Sequence, residues 1–246
     1  MASFAFDIPA NINAEYPEAY WSDRVLYSNV IKNSAIDRLV KNLGLVIEHD
    51  EATTPVLKRN KTIVLPPKGC FPNASNYYHA VLHEATHHMS RRLGQDDDLF
   101  NAITNYSVET NQLPNLSMLV SCFDDYKMQF CEQDEFKQLG VNPDTALSVA
   151  AFYMKEEVKC ETVALAMLQR ASLHPDENDI SYAEGSIATA MRICRLADLS
   201  IDKDTAGYNR LNQDITGIIE HLQKEFEIAK KQIPFSTAKK TATGRR

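Results

Sequence analysis

The sequence predicts a helix-rich α+β fold with a small antiparallel sheet and a helical insertion. Three short runs rich in β-branched and aliphatic residues lie between residues 45 and 65, and they predict strands. Several longer segments after residue 70 place apolar residues at helical spacing. The 246 residues, of which 44% are hydrophobic and 24% are charged, are enough for one sizeable domain or two small ones.

One domain is predicted over residues 34–233, between an N-terminal arm over residues 1–33 and a basic tail over residues 234–246. The arm has four large aromatic residues and no run of Lys or Arg, which favours packing on the domain over stacking on nucleic-acid bases. These aromatic residues are Tyr16, Tyr20, Trp21 and Tyr27. The tail is rich in Ser, Thr and Lys, and we expect it to be disordered.

The first part of the domain is predicted to form one helix followed by three strands. Ser34 caps a short amphipathic helix, and Gly44 ends it. Residues 45–49 form the first predicted strand. Residues 56–58 and 62–65 flank a tight Arg-Asn-Lys turn and predict a hairpin.

The next predicted helix carries the pattern H-E-x-x-H, formed by His83, Glu84 and His87. Residues four apart lie one turn apart on the same side of a helix, so both histidines can turn a ring nitrogen to one metal ion. Glu84 then holds a water molecule, whose pKa a zinc ion lowers to about 7, and accepts its proton. The opposite side of this helix is apolar and carries Tyr78, Val81, Leu82, Ala85 and Met89. This context favours a metal site over a polar helix whose histidines only solvate the surface.

Helical patterns account for most of the remaining chain. We predict helices from Asn73 or Ser75 to Gly94, near Met118–Phe136, from Thr145 to Leu168, from Ile180 to Leu196 and from Tyr208 to Gln232. Residues 174–179 are predicted to form a loop. The last helix has a continuous apolar stripe, which favours packing on the domain over pairing with a coiled-coil partner.

Bulk properties exclude several classes of function. The net charge of −7 argues against a dedicated nucleic-acid binder, which usually presents a basic face. No apolar run approaches the roughly 20 residues of a membrane span, and the N-terminus lacks the basic start and apolar core of a signal peptide. We therefore expect a cytoplasmic protein without a membrane partner.

The cysteines support the same compartment. The sequence contains Cys70, Cys122, Cys131, Cys160 and Cys194. Their odd number, their scatter and the lack of a C-x-x-C pattern favour reduced thiols over a disulfide framework. Cys160 lies close in sequence to the candidate metal ligands discussed below and is an alternative ligand, although a buried, inert thiol is the commoner role.

The order of one helix, three strands and the H-E-x-x-H helix resembles the minimal zincin metallopeptidase domain of ArdC-type antirestriction proteins. This domain also occurs in polyvalent proteins of phages and plasmids. The likeness is carried by the run Thr62-Ile-Val-Leu-Pro-Pro67, by Phe71, and by the pair Tyr77-Tyr78 shortly before His83. The resemblance implies a zincin fold, a bound Zn²⁺, a protein or peptide substrate whose peptide bonds are hydrolysed, and an origin in a mobile element.

The run from Glu156 to Glu161 resembles the E-E-L-V-A-E run of the same family. In zincins with a glutamate ligand, the upstream acid of a pair four apart binds zinc and the downstream acid orients a ligating histidine. The resemblance therefore implies that Glu157 binds the metal and Glu161 orients a histidine. Glu156 stays open as the ligand, because one residue of register separates it from Glu157. The alternative is that these acids pair with Lys155 and Lys159 on a solvated face.

Two departures from the family pattern follow the metal helix. About 70 residues separate His87 from Glu157, whereas the family usually needs a few tens, so residues 95–144 look like an insertion. The family also places an H-x-x-Y pattern at the start of the next helix, where this chain has Ile180-Ser-Tyr-Ala. Tyr182 and His174 are candidates to stabilise an oxyanion, beside the commoner structural role of such residues.

Two other functions compete with the peptidase. The first is a non-enzymatic antirestriction or DNA- or protein-binding module that retains the zincin fold. The family's separate single-strand-binding domain has no room in residues 1–33, which weakens this alternative. The second is a zinc-stabilised structural protein whose cleft the insertion blocks. Glu84 favours the enzyme over both, because a structural zinc site has no need of a base.

Overall fold

A computed structural model of the chain describes residues 33–51, 54–124, 140–175 and 177–233. The helices are α1 (Ser34–Asn42), α2 (Ala74–Arg92), α3 (Asp97–Thr110), α4 (Leu116–Asp124), α5 (Pro143–Arg170), α6 (Glu177–Leu196) and α7 (Ala206–Lys231). The strands are β1 (Val46–His49), β2 (Val56–Leu57) and β3 (Thr62–Leu65), and a short 3-10 helix covers Lys68–Cys70. The predicted helix-rich α+β class is confirmed. The predicted tail and residues 1–32 of the predicted arm lie outside the described residues.

The three strands form one mixed sheet with β3 in the centre. The predicted hairpin is present, because β2 pairs with β3 in antiparallel orientation. β1 pairs with the other edge of β3 in parallel orientation, with Val46 opposite Thr62 and His49 opposite Leu65. The sequence analysis expected an antiparallel sheet. The observed sheet is mixed. The strand order is β1-β3-β2. The strand that runs in the opposite direction, β2, therefore lies at an edge of the sheet, and β1 pairs with β3 directly.

Helices α2 and α5 pack against each other, and α5 also contacts α3, α4, α6 and α7. Asn73 caps α2 by accepting a hydrogen bond from the backbone N–H of Asn76, at one of the two positions predicted for its start. Gly94 follows α2 with φ of +66°, a conformation that favours glycine after a helix. The predicted apolar side of α2 is buried, and the polar residues Glu84, Thr86 and His88 of the same helix are buried as well.

Two helical segments differ from the sequence prediction. Helix α3 was not predicted, because it is rich in polar residues and only Ala102 and Tyr106 are buried along its length. The helical spacing of these two residues with Ile103, which packs on the core, is the signal that was overlooked. Helix α6 begins three residues before Ile180. The predicted helix near Met118–Phe136 is present as α4, and its part beyond Asp124 lies outside the described residues.

Two findings bear on the predicted environment. Among the described helices, none combines the length and apolar character needed to cross a lipid bilayer. Within the described residues, Cys70, Cys122, Cys160 and Cys194 form no disulfide. Cys131 lies outside these residues.

Candidate metal centre

The crossing of α2 and α5 brings His83, His87 and Glu157 together. The Nε2 atom of His83 lies 3.4 Å from Oε2 of Glu157. The Nε2 atom of His87 lies 3.4 Å from Oε1 of the same carboxylate. The two histidines are neighbours because they lie one turn apart on α2, and Glu157 faces them from α5.

Each of these distances is compatible with two neighbouring ligands of one zinc ion, and the two histidines approach different oxygens of Glu157. Among the described residues, ligand atoms that all lie within 4.8 Å of one another come from His83, His87 and Cys160, and from His83, Glu157 and Glu161. Zinc bonds to histidine nitrogen and carboxylate oxygen measure about 2.0–2.2 Å, so neighbouring ligand atoms in a tetrahedron lie about 3.3–3.5 Å apart. Both contacts between a histidine nitrogen and Glu157 have this length. The donor set of two imidazoles and one carboxylate also matches zinc sites that keep one position open.

A second carboxylate faces the other nitrogen of each imidazole ring. The Nδ1 atom of His83 lies 2.8 Å from Oε1 of Glu161, and the Nδ1 atom of His87 lies 3.5 Å from Oε1 of Glu156. A hydrogen bond with the length of the His83 contact orients a ligating ring and leaves its Nε2 atom for a metal. The sequence analysis left both Glu156 and Glu157 open as the ligand. In the structure, Glu157 faces both Nε2 atoms, whereas Glu156 faces a Nδ1 atom.

Glu161 continues into a buried polar network that the sequence analysis missed. Its Oε2 atom lies 2.9 Å from Nε2 of His79, and Nδ1 of His79 lies 3.0 Å from Oδ1 of Asp179 in the first turn of α6. Asn76 and Ser75 donate hydrogen bonds of 2.8 Å and 3.2 Å to the Asp179 carboxylate. Three helices are thus joined behind the candidate ligands.

A signal for part of this network was present in the sequence. His79, His83 and His87 follow one another at intervals of four, so they form one stripe along α2. Only the last two belong to the H-E-x-x-H pattern, and the first was passed over. No local pattern in the sequence identifies Asp179 as the partner of His79, because the two residues are 100 positions apart.

Glu156 belongs to a second buried network, on the His87 side of the site. Its Oε2 atom lies 2.6 Å from Nζ of Lys159 and accepts a hydrogen bond of 3.0 Å from the hydroxyl of Ser90. Lys159 is 3% exposed and Glu156 is 4% exposed. The alternative in which the acids of this run lie on a solvated face is therefore wrong, and Lys159 is part of the interior.

Glu84 is also buried, with 5% of its surface exposed. Burial raises the pKa of its carboxyl group, while the nearby His83 and His87 rings and a hydrogen bond from the backbone of Leu57 act in the opposite direction. A carboxyl group with a raised pKa both accepts and returns a proton more readily near neutral pH than an exposed one. The environment of Glu84 therefore suits acid–base chemistry.

The carboxylates favour positive charge at this site. Burial lowers the pKa of His83, but Glu161 and Glu157 outweigh burial and hold that pKa well above its usual value. Burial likewise opposes ionisation of Glu161, yet His79 and His83 lower its pKa to about 2. Opposite charges in a buried cluster stabilise each other in this way. The cluster therefore favours bound cations, either protons on the histidines or a metal ion.

Cys160 lies inside the same cluster. Its Sγ atom and one nitrogen each of His83 and His87 all lie within 4.8 Å of one another. The side chain is fully buried, and burial raises the pKa of its thiol to about 11. A zinc ion would deprotonate a thiol that coordinates it, so Cys160 stays an alternative ligand.

The two candidates for an oxyanion stabiliser lie on and before α6. Tyr182 is on this helix and is 40% exposed. His174 is exposed in the segment between α5 and α6. Their assignment to the reaction stays a prediction.

Comparison with known proteins adds one match. Residues 34–121 match a protein-family model described as zincin-like metallopeptidase. The matched part includes α1, the three strands and α2, and therefore His83, Glu84 and His87. It ends before α5, which carries Glu157. The chain matches no curated protein and no solved structure.

Proposed function

We propose that this protein is a zinc-dependent metallopeptidase in which His83, His87 and Glu157 hold the metal ion and Glu84 is the general base. The observation that carries the proposal is the spacing of the ligand atoms. Each Nε2 atom lies 3.4 Å from one oxygen of Glu157, which is the separation expected between two neighbouring ligands of one tetrahedral ion. The match of residues 34–121 to a zincin-like metallopeptidase model supports the same function.

The reaction is hydrolysis of a peptide bond in a protein or peptide substrate. When bound, zinc lowers the pKa of a water molecule to about 7 and polarises the substrate carbonyl. Glu84 takes the proton of the attacking water as the new C–O bond forms. It then delivers this proton to the leaving nitrogen as the C–N bond breaks. The buried position of Glu84 beside the ligands supports this double role.

The outer carboxylates complete the proposed site. Glu161 orients the imidazole of His83 through a 2.8 Å contact with its Nδ1 atom. Glu157 is preferred to Glu156 as the ligand, because Glu157 faces the Nε2 atoms of both histidines. Glu156 instead faces Nδ1 of His87. Two ring nitrogens directed at one carboxylate are compatible with a shared metal ion.

The biological setting is proposed from the resemblance to ArdC-type domains. It favours a protein of a phage, a plasmid or another mobile element that acts in the cytoplasm. The alternative is a non-enzymatic antirestriction or DNA- or protein-binding module with the same fold. Such a module has no use for a buried carboxyl group next to the metal ligands. The position of Glu84 therefore favours the enzyme.

The variant Glu84→Gln separates the two functions. The substitution removes the proton acceptor and no metal ligand, so we expect zinc content and thermal stability like those of the parent. Proteolysis of an unfolded protein substrate should fall by about 10²–10⁴-fold, the usual contribution of a positioned acid–base group. Glu220→Gln, at an exposed position on α7, is the matched control and should retain full activity. Proteolysis by Glu84→Gln at the parent rate would contradict the peptidase.

A further inference from the structure

We propose that Lys159 is a positioning residue of the metal centre, because its buried ammonium group holds the Glu156 carboxylate against the Nδ1 atom of His87. The inference rests on the proposed function, in which His87 is a metal ligand. It extends that function to a residue outside the H-E-x-x-H pattern and outside the ligand set. Lys159 does not touch the proposed metal or the substrate, and it acts through Glu156.

The ammonium group of Lys159 has three acceptors. Its Nζ atom lies 2.6 Å from Oε2 of Glu156, 3.0 Å from the hydroxyl oxygen of Ser90 and 2.8 Å from the backbone carbonyl oxygen of Gln95. A lysine ammonium has three N–H donors, so these contacts use all of them. The group is therefore held from three directions, by α2, by the segment after α2 and by α5 itself.

The contacts of Glu156 divide between its two oxygens. The Oε2 atom takes the contacts of Lys159 and Ser90. The Oε1 atom lies 3.5 Å from Nδ1 of His87 and accepts a 4.0 Å contact from Sγ of Cys160. Lys159 and Ser90 together therefore set the orientation of the carboxylate plane. That plane decides how far Oε1 lies from the His87 ring.

The two histidines are supported unequally. His83 has a carboxylate oxygen at 2.8 Å from its Nδ1 atom, whereas the corresponding distance at His87 is 3.5 Å. A contact of 3.5 Å is longer than an ordinary hydrogen bond, and a further retreat of the carboxylate would remove it. The position of His87 is thus more sensitive to the groups that hold its carboxylate, which are Lys159 and Ser90.

A purely stabilising role explains the lysine less well. Lysine is almost never fully buried unless it is paired, and Lys159 is 3% exposed. The attraction within a buried ion pair is largely offset by the loss of hydration, so a well-packed apolar pair often serves stability equally. A buried pair that also touches a proposed metal ligand has a second use, which is orientation of that ligand.

The test measures zinc affinity in four variants of the full chain, by competition with a chelating indicator. They are Lys159→Met, Glu156→Gln, the double variant, and Lys155→Met as the matched control. Lys155 lies four residues earlier on α5, beside the ring of Phe152. We expect Lys159→Met to bind zinc more weakly, by up to the roughly 10–100-fold that follows loss of a ligand's direct outer partner, and Lys155→Met to equal the parent.

The double variant separates positioning from stability. Lys159→Met alone leaves the Glu156 carboxylate buried without its cation, which can unfold the protein for reasons unrelated to zinc. Lys159→Met with Glu156→Gln removes both charges, so we expect a zinc-free melting temperature close to that of the parent. Zinc affinity should stay about 10–100-fold low and equal that of Glu156→Gln alone, because Lys159 acts only through the Glu156 carboxylate.

The outcomes are distinguishable. Parent-like zinc affinity in Lys159→Met, or recovery of parent affinity in the double variant, would overturn the positioning role and leave the metal centre intact. An equal loss of affinity in Lys155→Met would also overturn it. A parent protein that takes up no zinc would instead overturn the proposed function on which the inference rests.

Discussion

The carboxylate of Glu161 joins two histidines of α2, since its Oε1 atom lies 2.8 Å from Nδ1 of His83 and its Oε2 atom lies 2.9 Å from Nε2 of His79. One acid on α5 thus contacts residues four positions apart on the facing helix. His79 is held in turn by Asp179 of α6. The orientation of His83 therefore depends on contacts that span α2, α5 and α6.

Replacement of Glu161 should weaken the metal centre without abolishing it. Glu161→Ala leaves the three proposed ligands in place but removes the partner of the His83 Nδ1 atom. We expect zinc to bind about 10–100-fold more weakly. Competition with a chelating indicator measures this change, and Glu220→Ala on α7 is the control. Unchanged affinity would show that Glu161 does not orient the ring.

Replacement of Glu157 should have the larger effect. Glu157→Ala removes one of three protein ligands, so the purified variant should contain little zinc. Glu156→Ala should retain zinc with reduced affinity, because Glu156 faces the Nδ1 atom of His87. Elemental analysis after gel filtration measures both. If Glu156→Ala contained no zinc and Glu157→Ala retained it, Glu156 would be the ligand and Glu157 would be the outer partner.

Removal of zinc should destabilise the protein. A ligand that binds only the folded state, at a free concentration of 100 times its Kd, adds about 2.7 kcal/mol to the free energy of unfolding. Calorimetry should therefore show a lower melting temperature after chelation and its recovery on addition of zinc. Magnesium is the control, because it prefers octahedral oxygen ligands. If the zinc-loaded and chelated proteins melt together, no zinc ion is held in the folded protein.

Tyr78 offers a test of the fold that is separate from the metal. Its hydroxyl accepts a hydrogen bond of 2.7 Å from the backbone N–H of Asn33 and donates one of 3.1 Å to Asp37. Tyr78→Phe removes both and should lower the free energy of unfolding by about 1–3 kcal/mol. Denaturant unfolding measures the change, with Tyr208→Phe on α7 for comparison. Zinc content should be unaffected. Loss of zinc from the folded Tyr78→Phe variant would place Tyr78 in the metal site.

Binding to single-stranded DNA is expected to be negligible at physiological salt. The chain has a net charge of −7, and affinity for nucleic acid depends on neutralising phosphates with Lys and Arg. Fluorescence anisotropy of a labelled oligonucleotide measures the binding. Tight, salt-sensitive binding would support the non-enzymatic alternative, and the Glu84→Gln variant would then bind as well as the parent.

The sequence by itself determined the features that arise from contacts between near neighbours. The side-by-side placement of His83 and His87 follows from their spacing of four on a helix, and that helix is bounded by Asn73 and Gly94. The hairpin of β2 and β3 follows from a tight turn between two short apolar runs. In each case, the residues that decide the structure lie within a few positions of one another.

The tertiary structure decided which distant residues lie together at the candidate site. The choice of Glu157 over Glu156 as the acid that faces both Nε2 atoms depends on how α5 is rotated against α2, about 70 residues away in the sequence. The partners of His79 and Lys159 likewise could not be predicted from the sequence. A buried polar side chain must find a partner, but its identity is set by whichever helix packs against it. Helical periodicity predicts which residues share a face, whereas the packing of two such faces determines which atoms meet.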